Sequence, residues 1–162
     1  MLINNWYVAA MDKEIADAPH RTRMLGMDFV LFRDDTDSIR CLSDVCCHRG
    51  GALHRGEVTG GCIKCPYHGW EFNGAGRCVK IPAIGEDISI PTRARIDSYP
   101  VEVRLGLVWV FIGDQAQAAG IAAQSDYAAR SRGARGTVPG GRDRGRRDRR
   151  DHRYPAVGDA YR

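Results

Sequence analysis

The chain has 162 residues, enough for one domain with a hydrophobic core or for one domain followed by a tail. Hydrophobic residues make up 43% of it, and no apolar run approaches the roughly 20 residues of a membrane-spanning helix, so a globular protein without a membrane partner is expected. The net charge of +4 combines two unlike parts: residues 1–124 carry 13 Lys and Arg against 15 Asp and Glu, and residues 125–162 carry 11 Arg against 5 Asp.

The first 113 residues predict short β-strands separated by turns. Strand-forming runs lie at residues 6–10, 23–33, 39–43, 70–81 and 101–112. Asn73-Gly74 and Gly106 stand where hairpin turns are predicted. No segment shows a long, capped helical period, so we predict an all-β fold, a small antiparallel sandwich or barrel.

The character of the sequence changes after Asp114. Residues 115–129 are rich in Ala and Gln and have helical propensity, whereas residues 130–153 hold ten arginines among Gly and Asp. The second segment has almost no large apolar side chain with which to build a core. We therefore predict a folded domain over residues 1–114 and a disordered, basic, low-complexity tail over residues 115–162.

The N-terminus carries no basic stretch followed by an apolar block, so no signal peptide is predicted and a cytoplasmic location is expected. The sequence contains six cysteines: Cys41, Cys46, Cys47, Cys62, Cys65 and Cys78. Without a secretory signal, such a number of cysteines indicates metal binding rather than disulfides.

Two glycine-bounded segments combine Cys with His. They read Cys46-Cys-His-Arg-Gly-Gly51 and Cys65-Pro-Tyr-His-Gly-Trp70, so that the spacing is C-x-H, sixteen residues, then C-x-x-H. Two thiolates on one iron and two neutral imidazoles on the other form the ligand set of a Rieske [2Fe–2S] centre, which transfers one electron. The predicted cluster and metal ligands are Cys46, His48, Cys65 and His68.

Zinc is the alternative metal, because Cys62-Ile-Lys-Cys65 is a C-x-x-C pair and Cys46 or Cys47 with His48 could complete a tetrahedral site. The C-x-H spacing fits zinc poorly, since zinc ligands usually come as C-x₂₋₄-C and H-x₃₋₅-H. Outside the two segments, buried thiols are predicted for Cys41, Cys62 and Cys78, and surface positions for His20 and His54.

The two segments resemble the Rieske domain of bacterial ring-hydroxylating and demethylating oxygenases. Asn5-Trp-Tyr-Val-Ala-Ala10, Val30-Leu-Phe-Arg33 and the segment Gly106-Leu-Val-Trp-Val-Phe-Ile-Gly-Asp114 are similar to the vanillate O-demethylase and phenylpropionate-dioxygenase-like branch. The resemblance covers residues 1–114 and implies the N-terminal Rieske domain of an oxygenase subunit. In such a domain an antiparallel β-structure holds the cluster at its tip.

The resemblance also implies partners. An NAD(P)H-dependent reductase or a ferredoxin would donate electrons to the cluster, which would pass them to a mononuclear Fe(II) that activates O₂. Respiratory Rieske proteins have a further disulfide where Gly51 and Tyr67 stand, and a Ser where Trp70 stands. Losing these groups is expected to keep the reduction potential toward the low end of the Rieske range.

The family holds its mononuclear iron with two His and one carboxylate, but only His152 follows His68 in this chain. No site for that iron and no catalytic residue is predicted here, and a homo-oligomer is expected only for a full-length form. We hypothesise that a frameshift or truncation explains the change after Asp114. A genuine tail that binds nucleic acid or an acidic partner is the weaker alternative, because aromatic residues are not interleaved with the arginines.

The sequence thus predicts the Rieske electron-transfer domain of a ring-hydroxylating or O-demethylating oxygenase component. A stand-alone Rieske ferredoxin is the first alternative, which the length of the chain favours. A zinc-binding interaction module is the second. The segments Asn5–Ala10 and Gly106–Asp114 favour the oxygenase over the ferredoxin.

Overall fold

The computed structural model describes residues 3–85 and 88–121. Over these residues the chain forms eleven β-strands and four short 3-10 helices, which confirms the predicted all-β fold. The strands are β1 (Asn5–Met11), β2 (His20–Met24), β3 (Met27–Arg33), β4 (Ile39–Ser43), β5 (Glu57–Thr59), β6 (Cys62–Lys64), β7 (Glu71–Phe72), β8 (Cys78–Lys80), β9 (Ser98–Tyr99), β10 (Val101–Arg104) and β11 (Leu107–Ile112). The 3-10 helices are Asp12–Glu14, Leu53–Arg55, Pro82–Ile84 and Gln115–Gly120. No helix in this part of the chain is long and apolar enough to cross a membrane.

The strands form three antiparallel sheets, with the orders β1-β11-β10, β2-β3-β4-β9 and β5-β6-β7-β8. The β2-β3-β4-β9 sheet is the middle layer, because side chains on both of its faces are buried. Phe29 and Leu31 of β3 pack toward β11, whereas Val30 and Phe32 pack toward the β5–β8 sheet. This arrangement explains why β3 is a continuous apolar run rather than an alternating one.

The hairpins predicted at Asn73-Gly74 and Gly106 are present, but the run predicted over residues 23–33 is divided by a turn at Leu25-Gly26. Leu25-Gly26 joins β2 to β3 and Leu105-Gly106 joins β10 to β11, with positive φ at both residues of each turn. Glycine at the second position suits such a two-residue turn because it adopts positive φ without a steric cost. The β7–β8 hairpin is longer, and the Asn73 side chain closes it by accepting hydrogen bonds from the N–H groups of Ala75 and Arg77.

The end of the described chain differs from the prediction. Residues 115–121 are not a disordered tail: Gln115–Gly120 is a 3-10 helix, and Ala118 is buried beside Trp6 and Phe111. The Trp6 indole Nε1 donates a 2.6 Å hydrogen bond to the carbonyl of Ile121. An Ala-rich segment does not by itself predict a packing partner, yet Ala118 packs against the large Trp6 ring. The rest of the predicted tail, residues 122–162, lies outside the described residues.

The turn between β3 and β4 depends on one carboxylate. Asp34 accepts hydrogen bonds from the N–H groups of Thr36 and Ser38 and from the Thr36 hydroxyl, and it pairs with Arg40. Burial acts to raise the pKa of Asp34, but the hydrogen bonds outweigh it and lower the pKa to about 2. Because the folded pKa is depressed, the stabilisation is complete above the ordinary value of 3.8 and is lost as the pH falls toward 2.

We expect Asp34→Asn to lower the free energy of unfolding at pH 7 by roughly 1 to 2 kcal/mol, because the replacement loses the charge-assisted hydrogen bonds. Urea unfolding followed by circular dichroism measures the change. Asp37→Asn is the matched control, since Asp37 lies in the same turn with 86% of its side chain exposed and only a 3.4 Å ion pair to Arg33. Equal unfolding midpoints for the two variants would contradict this account of the turn.

Candidate metal centre

Two loops at one end of the molecule carry the predicted ligands, and their backbones follow the same hydrogen-bond pattern. In the first loop, Cys46 N–H donates to the Gly51 carbonyl (2.9 Å) and Gly50 N–H donates to the Cys46 carbonyl (2.9 Å). In the second, the equivalent bonds join Cys65 to Trp70 (2.8 Å) and Gly69 to Cys65 (3.0 Å). Each Cys is therefore fixed by its own loop, at both its N–H and its carbonyl group.

The shared pattern explains a glycine in each loop. Gly50 and Gly69 occupy the same place, four residues after the Cys, and each has a φ of 70°. A side chain is strained in that left-handed conformation, whereas glycine adopts it freely. The histidines break the correspondence, because His48 stands two residues after its Cys and His68 stands three residues after.

The structure brings the four predicted residues together and separates them by type. Cys46 and Cys65 are 3% and 2% exposed and belong to the core between the middle sheet and the β5–β8 sheet. His48 and His68 are exposed, and their ring centroids are 4.7 Å apart. A pair of thiols thus lies inside the protein and a pair of imidazoles lies at its surface.

The surroundings of the Cys46 thiol and the His48 imidazole shift their pKa values. Burial raises the pKa of the Cys46 thiol, and a hydrogen bond and charge interaction with Cys65 raise it further. Desolvation, followed by the neighbouring His68 and Arg49, lowers the pKa of His48. A lowered pKa favours the neutral imidazole, the form that binds metals, whereas a raised pKa means that the thiol must lose its proton when a metal binds.

Gly51 and Trp70 occupy equivalent places in the two loops but serve different purposes. A Cβ atom on Gly51 would lie 3.0 Å from the Cys65 sulfur, so glycine leaves the room that this sulfur needs. The Trp70 ring stacks on the His48 imidazole, with centroids 4.6 Å apart and planes 6° from parallel. In the second loop, the centroid of the exposed Tyr67 ring lies 3.9 Å from the centroid of the His68 ring.

A cavity of about 490 Å³ opens beside His48. Apolar side chains line most of it, with Cys47 and Arg93 among its polar residues. The lining residues are Cys47, His48, Trp70, Ile81, Ile84, Ile88, Ser89, Pro91, Arg93 and Ala94. One of the two exposed imidazoles therefore borders an apolar concave surface rather than open solvent alone.

The remaining candidates do not gather around the same point. Within residues 3–85 and 88–121, no three His, Cys, Asp or Glu side chains surround a single metal position. Cys62, the partner of Cys65 in the zinc alternative, is half-buried. Burial raises the pKa of its thiol, and the charges of Glu71 and Asp35 raise it further. Cys47 is exposed.

Burial decides four of the lesser predictions, those for Cys41, Cys62, Cys78 and His20. Cys41 and Cys78 are buried as predicted, whereas the half-buried Cys62 is not. His20 on β2 is half-buried rather than fully exposed. His20 is only partly exposed because its strand, β2, pairs with β3.

Sequence reasoning missed one pair beside the first loop. His54, predicted at the surface, is half-buried, and its Nδ1 lies 2.5 Å from the carboxylate of Asp44, which is only 4% exposed. Asp44 precedes Cys46 by two residues and His54 follows Gly51 by three. A carboxylate two residues from a predicted thiolate ligand could have indicated that Asp44 belongs to the site.

Comparison with known proteins agrees with this geometry. A family model described as the Rieske [2Fe-2S] domain matches residues 5–100. The chain is 44% identical over 120 residues to the toluene-4-sulfonate monooxygenase system iron-sulfur subunit TsaM1 of Comamonas testosteroni, covering 73% of this chain and 34% of that protein. It is 36% identical over 115 residues to the oxygenase component of dicamba O-demethylase from Stenotrophomonas maltophilia, covering 71% and 33%.

Among solved structures, dicamba monooxygenase with non-heme iron and dicamba superposes with a TM-score of 0.66 at 35% identity, covering 72% of this chain and 35% of that chain. The chain thus spans about a third of the length of the curated relatives it matches. The narrower likeness to the vanillate O-demethylase branch stays a prediction. Since the family model covers more than half of the sequence, this chain belongs to the Rieske [2Fe-2S] domain family.

Proposed function

We propose that Cys46, His48, Cys65 and His68 hold the [2Fe–2S] cluster of this domain and that the domain transfers single electrons. The observation that carries the proposal is the separation of a buried thiol pair from an exposed imidazole pair across two loops of matching backbone. A Rieske cluster needs this separation, because one iron takes two sulfurs and the other takes two nitrogens.

The arrangement also favours the cluster over zinc. A structural zinc ion takes four ligands that converge on one point. In a two-iron cluster each metal takes only two side chains, and the bridging sulfides supply the rest. In the described part of the chain, no three such side chains surround one metal position, and the donors come as two pairs. This arrangement fits a two-iron cluster rather than a zinc ion. The space beside the Cys65 sulfur, kept open by Gly51, is the kind of room that a bound cluster requires.

When bound, the cluster accepts and releases one electron. The protein determines which side of the cluster site is buried and which side a redox partner can reach. Cys46 and Cys65 keep the sulfur-ligated side within the apolar core and away from water. His48 and His68 present their rings at the surface, where a redox partner can approach them. Trp70 covers one face of the His48 ring and limits its rotation. The imidazole edges would therefore be the place at which electrons reach and leave a bound cluster.

We further propose that this domain serves an oxygenase. An NAD(P)H-dependent reductase or a ferredoxin would supply the electrons, and a mononuclear iron of the oxygenase would receive them. The relatives named above are oxygenase subunits, which supports this role. A stand-alone ferredoxin is the second candidate, but the matched relatives are about three times longer than the matched segment. The cytoplasmic location also stays a prediction.

Metal analysis of the purified protein tests the assignment. We expect two iron atoms and two acid-labile sulfides per chain, and an electron paramagnetic resonance (EPR) signal that appears when one electron is added. Cys46→Ser and His68→Ala should each lose more than nine-tenths of the iron, because one metal loses half of its protein ligands. Cys47→Ser is the matched control and should keep the wild-type iron content, since Cys47 is the exposed neighbour of Cys46. Protein that contains zinc and no iron would refute the proposal.

Gly51→Ala should lower the cluster content at least severalfold. Its added methyl group would stand 3.0 Å from the Cys65 sulfur and 3.5 Å from the Tyr67 Cβ atom, and Cys65 is held at both its backbone groups by hydrogen bonds within its loop. Iron content and visible absorbance measure the loss. Gly120→Ala serves as the control: Gly120 ends the 3-10 helix Gln115–Gly120, it does not have a left-handed φ, and no atom lies within 4 Å of the added Cβ. Equal iron contents in the two variants would contradict the assigned role of Gly51.

A further inference from the structure

Asp44 is the only charged side chain that is fully buried among the described residues, with 4% of its surface exposed. It stands at the end of β4, immediately before the first ligand loop. Burying a carboxylate is costly unless hydrogen bonds replace the lost water. Its position therefore calls for an explanation beyond packing.

The hydrogen bonds of Asp44 close the base of the ligand loop. Its backbone carbonyl accepts from the N–H of Leu53, and its Oδ1 accepts from the N–H of His54 at 2.7 Å. Its Oδ2 is paired with His54 Nδ1 at 2.5 Å. Next to these contacts, Val45 and Ala52 form an isolated antiparallel bridge. The two ends of the segment that carries Cys46 and His48 are thus joined through the backbone and the side chain of Asp44.

The backbone contacts alone do not require a charge. A neutral Asn or Ser side chain could accept the His54 N–H, and it would avoid most of the cost of desolvation. A carboxylate adds two things: it fixes the ring of His54, and it places a negative charge in the low-dielectric interior two residues from Cys46. Buried charges near an iron–sulfur cluster change its reduction potential.

We propose that Asp44, held by His54, is a positioning residue for the cluster: it fixes the first ligand loop, and its buried charge lowers the reduction potential. The inference rests on the proposed cluster ligands. With His54 acting as a neutral Nδ1–H donor, the pair keeps the negative charge of the carboxylate. This charge opposes the addition of an electron, and the interior screens the repulsion less than water would. The pair contacts no metal itself and acts through the loop and through its field.

The test compares variants of the full chain by EPR and by redox titration at one pH. Asp44→Asn keeps the size of the side chain and an acceptor for the His54 N–H, but it removes the charge. We expect the cluster to be retained, its EPR signal to change and its midpoint potential to shift upward. Glu57→Gln is the matched control, because Glu57 lies beyond the same 3-10 helix in an exposed ion pair with Lys64 and should leave both readouts unchanged.

A second pair of variants tests the histidine. In His54→Asn the side-chain N–H group can replace Nδ1–H as the donor to Asp44, so we expect the wild-type signal and potential. His54→Leu removes the donor, loosens the loop and should alter the EPR signal and lower the iron content. If Asp44→Asn cannot be purified folded, the two His54 variants decide. A different EPR signal or midpoint potential in His54→Leu than in His54→Asn supports the inference, and identical signals and potentials in these two variants overturn it.

A purely structural role would lower stability without moving the potential. Asp44→Asn with the wild-type EPR signal and midpoint potential would therefore overturn the inference, even if the variant melted earlier. A wild-type protein without any cluster signal would instead refute the proposed function. The two failures are thus distinguishable in one set of measurements.

Discussion

The burial of two sulfurs is the constraint on which the site depends. Cys46 and Cys65 belong to the same core as Val30, Phe32 and Phe72, so the inner side of the cluster site is continuous with the packing of the domain. The loops that carry them have little freedom, because each Cys is hydrogen-bonded within its own loop at both backbone groups. The histidines can then lie at the surface without losing their alignment, since the loop backbone is fixed below them.

The layered fold makes this arrangement available. The β5–β8 sheet lies in an insertion between β4 and β9, and these two strands pair with each other in the middle sheet. Ser43 N–H donates to the Asp97 carbonyl at 2.9 Å, so the two ends of the insertion meet. The middle sheet buries one face against the insertion and the other against β1 and β11. The cluster loops therefore stand on a layer that is packed from both sides, which suits a site that must change its charge without changing its shape.

Much of this could be predicted from the sequence, because it depends on local patterns. The strands, the hairpins at Asn73-Gly74 and Gly106, and the C-x-H and C-x-x-H loops all follow from neighbouring residues. The three layers could not be predicted, since the apolar run of β3 does not say which sheet covers each face. The same limit explains why Asp44 and His54, ten residues apart, were not paired, and why the contact between Trp6 and Ile121 was missed. Contacts between distant residues are decided by tertiary packing, not by local sequence.

The most direct measurement is electron–nuclear double resonance on the reduced protein with its histidines labelled with ¹⁵N. If His48 and His68 both bind one iron, the spectrum will contain couplings to two histidine nitrogens, and His68→Ala will remove the cluster signal with them. Cys47→Ser will leave both couplings unchanged. A reduced cluster without any histidine nitrogen coupling, as expected for ligation by four thiolates, would contradict the account.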